Sequence, residues 1–291
     1  MKIDLHSHTR HSDGLLTPQE LLQRAELQGV DVLAITDHDS IAAIPEAQAY
    51  LQRQNSRLQL ISGVEISSSW QSFEIHVVGL NFDPTDALLQ QRLAEQQQKR
   101  IERVAMIAER LSRRCRIEDI LPGVMDMAAG AAVTRAHVAR YLVQIGEVEH
   151  MGAAFDKYLA RGKPAYVPPQ WVSLADAIGW IQQAGGQAVL AHPLKYKLSG
   201  KWLRRLVVDF STADGDAMEV VSPQQTPQQR AELWALCEQY GLLASVGSDF
   251  HQPTPWNELG KNLYLTQDIH PVWANWDLAA NDKTAQLPLS L

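Results

Sequence analysis

Nine residues of this chain have the types and spacing to run metal-dependent chemistry: His6, His8, Asp13, His38, Glu65, His76, His192, Asp249 and His251. They fall in short motifs: His6-Ser7-His8, Ser12-Asp13-Gly14, Thr36-Asp37-His38-Asp39, Gly63-Val64-Glu65, His192-Pro193 and Gly247-Ser248-Asp249-Phe250-His251, with His76 standing alone. Neutral imidazoles and carboxylates together suit Zn²⁺, Mn²⁺ or Fe²⁺. The two cysteines, Cys115 and Cys237, are too few for a disulfide framework or a closed cysteine site. His6 and His8 are two apart, so a regular strand turns both to one face. Nine ligands exceed the need of one tetrahedral ion and suffice for two or three if a carboxylate bridges. Clustered divalent ions generate a hydroxide near neutral pH and clamp the oxygens of a phosphoryl group.

A single histidine beside a strand is more often a hydrogen-bonded structural group than a ligand. The case for a metal site is the recurrence of such residues at strand ends in separate segments. His76 lies inside an apolar run, where a core histidine is the rival reading. His11, His150 and His270 have no such setting and read as ordinary histidines.

The elements that must carry these residues alternate. Short apolar runs at 3–5, 32–35, 58–61, 75–80, 188–191, 218–221 and 242–246 read as strands. Thr17-Pro18-Gln19-Glu20 opens a helix with a capping box, and Gly29 ends it. A helical stretch runs to about Gln54, with Pro45 in its first part. Ser173 caps another helix, and Thr226-Pro227 begins one that stops at Gly241. This alternation argues for a parallel α/β sheet or barrel, in which C-terminal strand ends share one face. Between 88 and 165 no strand is expected. Leu89, Leu93, Ile101, Val104, Ile107 and Leu111 follow helical spacing, and further helical runs cover 133–142 and 151–159. The expected organisation is a barrel from 1–87 and 166–291, with 88–165 as a helical insertion.

The 291 residues are 45% apolar and 20% charged, which supplies a large core and excludes disorder. The net charge of −7 disfavours coating of nucleic acid or an anionic membrane through bulk charge. The charge is uneven, however. Residues 88–165 hold 13 basic against 9 acidic residues, and the remainder 13 against 24. The basic excess sits where a phosphate could be held, and arginine forks bond phosphate oxygens bidentately. Arg135, His137, Arg161 and Lys163 are the candidate substrate contacts; Arg113, Arg114 and Arg116 read as a solvated helix face. No signal peptide or membrane-spanning stretch is evident, so a soluble cytoplasmic protein is expected.

The motifs quoted above resemble those of the PHP (polymerase and histidinol phosphatase) superfamily, over roughly 1–87 and 166–291. The resemblance implies a distorted (β/α)7 TIM-like barrel that hydrolyses phosphate esters. It implies two to three divalent ions, manganese first, with iron or zinc as alternatives. One ion would take His6, His8, Glu65 and Asp249, and a second Asp13, His38 and His251. Glu65 would bridge to a third, completed by His76 and His192. Asp13, His38, Glu65, His192, Asp249 and His251 carry the catalytic roles on this reading, with Asp37 and Asp39 orienting ligand imidazoles.

Within the superfamily, residues 132–140, Lys157-Tyr158-Leu159, Arg161-Gly162-Lys163-Pro164 and Tyr166-Val167-Pro168, together with 247–256, look like the TrpH-like branch. That branch includes 3′,5′-nucleotide bisphosphate phosphatases and 5′→3′ exoribonucleases. It implies removal of the 3′-phosphate from nucleoside 3′,5′-bisphosphates such as pAp, and stepwise 5′→3′ cleavage of short 5′-phosphorylated RNA. No membrane and no obligatory protein partner is expected. A histidinol-phosphate-type or generic phosphatase is the alternative on the same fold. A non-catalytic RNA- or metal-binding module is the alternative of another class, and the full complement of ligands argues against it.

Overall fold

The structure, a computed structural model, describes residues 1–266 and 269–278. The tail beyond 278, the last stretch of the expected barrel range, lies outside the described residues. The strands are β1 (Ile3–Asp4), β2 (Val32–Ile35), β3 (Gln59–Trp70), β4 (Phe73–Leu80), β5 (Val172–Ser173), β6 (Gln187–Leu190), β7 (Ala217–Val221) and β8 (Leu243–Val246). Seven run side by side in the order β1-β2-β3-β4-β6-β7-β8, and β5 adds to β3. The chain just beyond β8 then pairs with the chain just beyond β1. Leu5 N–H donates to Val246 O at 3.2 Å, Asp249 N–H to His6 O at 2.9 Å, and His8 N–H to Phe250 O at 2.8 Å. These bonds bring the two edges together into a nearly closed barrel.

The helices are α1 (Pro18–Leu27), α2 (Ala43–Gln54), α3 (Ala87–Cys115), α4 (Leu121–Ala128), α5 (Arg135–Gln144), α6 (Met151–Ala154), α7 (Leu174–Gln183), α8 (Gly200–Thr212) and α9 (Pro227–Tyr240). The expected capping box of α1 is present, with Thr17 and Glu20 exchanging side-chain and backbone bonds. Its buried face is Leu21, Leu22 and Ala25. Ile101, expected on the apolar stripe of α3, points to solvent instead. Its place on that face goes to Arg100 and Arg103, which are buried beside Val104 and Ile107. α4 and α8 carry no signal as strong as the capping boxes. None of the described helices is long and apolar enough to cross a membrane.

The sheet is not all parallel. β4 is antiparallel to both β3 and β6. Only Gln71 and Ser72 separate Trp70 from its partner Phe73, with Gln71 at a positive φ of 53°. A two-residue link forces a hairpin, because a parallel crossover needs a dozen residues or more. The hairpin lengthens β3 well past the short strand expected at 58–61. Apolar side chains from both faces of the sheet form the main core. A separate apolar cluster, from Val104 to Val167, holds α3 to α6 together.

Gly247 shows how tightly the barrel closes around its first strand. A Cβ there would lie 2.3 Å from His6 Cβ and 2.9 Å from Glu219 Oε1. Overpacking of this kind costs about 1–3 kcal/mol. Gly247→Ala should lower the melting temperature and displace His6; an unchanged melting temperature would contradict the closure described here.

Candidate metal centre

All nine residues singled out by spacing converge. His6 and His8 leave the end of β1, where Ser7 Oγ donates to Ala34 O at 2.7 Å and pins the segment to β2. Asp13 follows on a turn folded so closely that a Cβ on Gly14 would lie 2.4 Å from His8 O. His38 extends β2 and pairs with Glu65 as an isolated parallel bridge. Glu65 lies within β3 rather than after it. In the β3–β4 register Glu65 faces Val78 and Ser67 faces His76, so Glu65 and His76 are diagonal neighbours on one face. His192 follows β6, and Asp249 and His251 follow β8.

Their ligand atoms form four overlapping groups: His8, Asp13, His38 and His251; His6, Glu65 and His192; His6, His8 and Asp249; and His38, Glu65 and His76. His192 and His76, expected to share one ion, fall in different groups. Both touch the same oxygen, Glu65 Oε1, at 2.9 and 2.8 Å, from opposite neighbours. Glu65 Oε2 lies 2.8 Å from His38 Nδ1 and 3.4 Å from His8 Nε2. Glu65 thus belongs to two of the groups and touches a member of each of the other two, as a bridging carboxylate should.

The donor atoms have the mark of metal ligands. Asp13 Oδ1, His38 Nδ1, Glu65 Oε2 and His192 Nδ1 are buried yet make no hydrogen bond. Three of them lie close to another side-chain polar atom, with His38 Nδ1 2.8 Å from Glu65 Oε2 and Asp13 Oδ1 3.2 Å from His251 Nε2. The distances would serve a hydrogen bond, so it is the alignment that fails. Buried polar atoms are rarely left so. Lone pairs that converge without sharing a proton are suited to a shared cation.

The electrostatics agree. Burial alone would disfavour charge on His6, but Glu219 and Glu65 outweigh it and push the imidazole up to about 10. A negative field that holds a proton also holds a metal ion. Burial would likewise raise the Glu65 carboxyl, but His76, His38 and His6 hold it well below the usual carboxylate range.

Three site residues hold left-handed backbone, Asp39 at φ 47°, His192 at 28° and Asp249 at 50°. Such strain costs on the order of 1–3 kcal/mol per residue and clusters at functional sites.

The residues around the ligands include several that spacing alone did not single out. Glu219, in β7, accepts from His6 Nδ1 at 2.6 Å and from His192 N–H at 2.6 Å. One carboxylate therefore aims two ligands. Its signal was an acid inside the apolar run 217–221. Asp37 and Asp39 do not take that role. Asp37 accepts from Thr9 N–H, Thr9 Oγ1 and Ser12 Oγ, and reaches His8 only through Ser12. Asp39 pairs with Arg100 at 2.7 Å and accepts from Ser67 N–H.

A cavity of about 130 Å³ opens beside the centre, lined by Asp13, His38 and His76 on one side and by Arg100, Arg103, Arg135 and Phe155 on the other. Glu74 stands between the arginines. Arg103 Nη1 lies 3.1 Å from its Oε1, and Arg135 Nη2 lies 3.1 Å from its Oε2. Burial opposes the charge on Glu74, but Arg135 and Arg103 hold its carboxyl well below the usual range. Arg103 also donates to Val167 O and so spends its fork on protein partners. Arg135 donates one N–H to Glu74 and keeps others for a ligand. The positions 96, 100, 103 and 107 keep helical spacing along α3, which is the pattern by which Arg100 and Arg103 could have been found.

The other candidate contacts lie elsewhere. His137 is buried beneath the cavity wall, where its Nδ1 accepts from Thr134 N–H at 3.1 Å and completes a capping box on α5. Burial pushes it down to about 4, which keeps it neutral as an acceptor. Thr134 Oγ1 in turn donates to Asp13 Oδ2 at 3.0 Å, tying α5 to the centre. Arg161 lines a separate groove with Ser72, Tyr166 and Pro168. Lys163 is exposed on the following turn.

Glu219→Gln keeps the size of the side chain but sets an NH₂ group against a donor, either His192 N–H or His6 Nδ1–H. Metal affinity should fall about 10–100-fold in a titration of the metal-stripped protein, with the fold retained by circular dichroism. Unaltered affinity would remove Glu219 from the centre.

Comparison with known proteins agrees with this geometry. A profile described as the PHP domain matches residues 4–161. The chain is 51% identical to the 5'-3' exoribonuclease Rnm of Escherichia coli (strain K12), over 98% of this chain and 97% of that one. It is 39% identical to the 3',5'-nucleoside bisphosphate phosphatase of Chromobacterium violaceum, over 93% of each. A solved amidohydrolase structure from Chromobacterium violaceum, with bound sulfate and no metal, superposes with a TM-score of 0.86 at 38% identity, covering 94% of this chain and 95% of that one. The chain belongs to the PHP domain family, whose barrel and ligand motifs it carries.

Proposed function

We propose that the protein is a metal-dependent phosphoesterase that removes the 3′-phosphate of nucleoside 3′,5′-bisphosphates and degrades short 5′-phosphorylated RNA from its 5′ end. The observation that carries this reading is the arginine cavity directly against Asp13, His38 and His76. A terminal 5′-phosphate carries about −1.5 to −2 charges at neutral pH. Arg135, with donors to spare, suits it. The relatives' names, exoribonuclease and bisphosphate phosphatase, point the same way.

The two activities break the same bond. In pAp the P–O3′ bond breaks, the 3′-oxygen takes a proton, and water supplies the oxygen that leaves on phosphate. In RNA the same P–O3′ bond breaks and the phosphate stays on the next nucleotide. The ions we assign to the centre are two to three divalent cations, manganese first, held by His6, His8, Asp13, His38, Glu65, His76, His192, Asp249 and His251. When bound they supply an activated water and neutralise phosphoryl oxygens. The protein's own part is positional. Glu219 and Glu65 aim the imidazoles, Thr134 holds Asp13, and Arg135 fixes the 5′ end so that the 3′-phosphorus meets the centre. In this reading residues 88–165 act as a substrate-binding cap on the barrel, and Arg161 and Lys163, outside the cavity, would meet longer RNA. His137 would support the cap rather than touch substrate.

Manganese-loaded protein should hydrolyse pAp and 5′-phosphorylated oligoribonucleotides much faster than 3′-AMP or histidinol phosphate. Equal rates on pAp and 3′-AMP would end the 5′-phosphate reading. Arg135→Ala should cost about 10–100-fold in kcat/KM on pAp, the loss expected for hydrogen bonds to a charged group, and leave 3′-AMP nearly unaffected. Chelation should abolish turnover and lower the melting temperature, both restored by Mn²⁺, because an ion bound only by the folded state stabilises it. Turnover that survives chelation would rule out the metal centre as the site.

A further inference from the structure

A second groove, of about 170 Å³, meets the centre at His192 and is lined by Lys195, Ser222, Gln224, Gln225 and Gln229. It shares no lining residue with the arginine cavity. The buried Glu65 Oε1 lies between a wall of each, 2.9 Å from His192 and 2.8 Å from His76. They differ in walls and in chemistry. The arginine cavity is walled by Thr134, Arg135, Ala136 and Phe155 from the helical segment. No residue of that segment lines the second groove, and its Lys195, Gln224 and Gln229 are exposed.

The amides of the second groove are oriented. Gln225 Oε1 accepts from Ser222 N–H at 2.8 Å, and Gln229 Oε1 accepts from Thr226 N–H at 2.9 Å. Only oxygen can serve a backbone donor, so each side chain presents its NH₂ as the free end. Among the described residues neither NH₂ has a partner. Lys195 Nζ contacts Asp249 Oδ2, which joins the groove to the centre.

We propose that this groove holds the nucleotide immediately 3′ of the scissile phosphate, with the NH₂ groups of Gln225 and Gln229 donating to its base or ribose and Lys195 facing its phosphodiester. The inference rests on the phosphoesterase reading above. Charge matching sets the direction. A terminal phosphate takes the arginine side, while a phosphodiester carries one charge and needs one cation. Two neutral amide donors recognise acceptors that every base and ribose offers, so the subsite tolerates any sequence. The exposure of Lys195, Gln224 and Gln229 fits as well, since an RNA chain must run on from here. The groove is empty of substrate when pAp is hydrolysed, because nothing follows its 3′-phosphate. It therefore separates the two activities.

The test compares pAp with a 5′-phosphorylated tetraribonucleotide on manganese-loaded wild type, Gln225→Ala/Gln229→Ala and Gln225→Glu/Gln229→Glu. The Glu pair keeps the oxygens that cap Ser222 and Thr226, which guards against a folding defect, with melting temperature as the control. Loss of two neutral hydrogen bonds should lower kcat/KM on the tetranucleotide about 10-fold, mainly through KM. The Glu pair should lower it further through repulsion, with pAp turnover within about 2-fold of wild type for the Ala pair. Equal losses on both substrates, or none on either, overturn the inference. A wild type active on both substrates with unselective variants sinks the inference alone. A wild type inactive on both sinks the phosphoesterase reading and takes the inference with it.

Discussion

Burial of Glu65 among imidazoles is the constraint on which the rest of the structure depends. The carboxylate is fully buried, with Oε1 within 3.5 Å of His6, His76 and His192, and Oε2 within 3.4 Å of His8 and His38. An isolated ionised carboxylate in that place would cost far more than a domain's net stability. Five imidazoles, or the cations they bind, make it tolerable. To bring them there β3 must run straight through the centre and fold back at once as β4. Strands β1, β2 and β6 must end level with Glu65. The antiparallel hairpin, the one departure from a parallel barrel at this point, is what sets His76 against the same carboxylate.

Much of this centre is legible in the sequence, because metal ligands come in motifs at strand ends and strand ends announce themselves as short apolar runs. Eight of the nine candidate ligands stand in such motifs, and His76 joins them through the hairpin. What escapes notice is what depends on register or on a distant element. Glu65 reads as following its strand, since the polar Ser67-Ser68-Ser69 hides the length of β3. Glu219 reads as part of a strand, because its partner His6 is 213 residues away. Arg100 and Arg103 are not singled out, because their partners Asp39 and Glu74 lie on distant elements. The sequence places Asp37 and Asp39 beside ligands correctly in number, but their hydrogen bonds go to a turn and to an arginine.

Charge organises the surroundings at a second level. Glu74 accepts from Arg103, Arg135 and Trp171 Nε1, so one carboxylate of the barrel hairpin gathers side chains from α3, α5 and the chain before β5. Removing it would leave two arginines close together in a partly buried place. The helical segment is therefore attached to the barrel by ionic and polar contacts around the cavity as well as by Leu89 and Leu93 in the main core, while its own apolar cluster packs its helices together. The uneven distribution of basic residues is the sequence trace of this arrangement. An acidic barrel suits cations, and a basic segment above it suits a phosphate that must approach them.

The seam between the two ends of the chain has a temporal side. Asp249 N–H bonds to His6 O, and Asp249 Oδ1 lies 3.1 Å from His8 Nε2. The first ligands to leave the ribosome thus wait for some of the last. Contacts so far apart in sequence form late, because the loop-closure entropy must be met before they reward it. A nascent chain lacking its final strand has two of the four groups incomplete, since Asp249 and His251 both follow β8. The full set of candidate ligands is present only once the barrel can be completed, so synthesis of the chain and assembly of this centre are separated by the order of the chain itself.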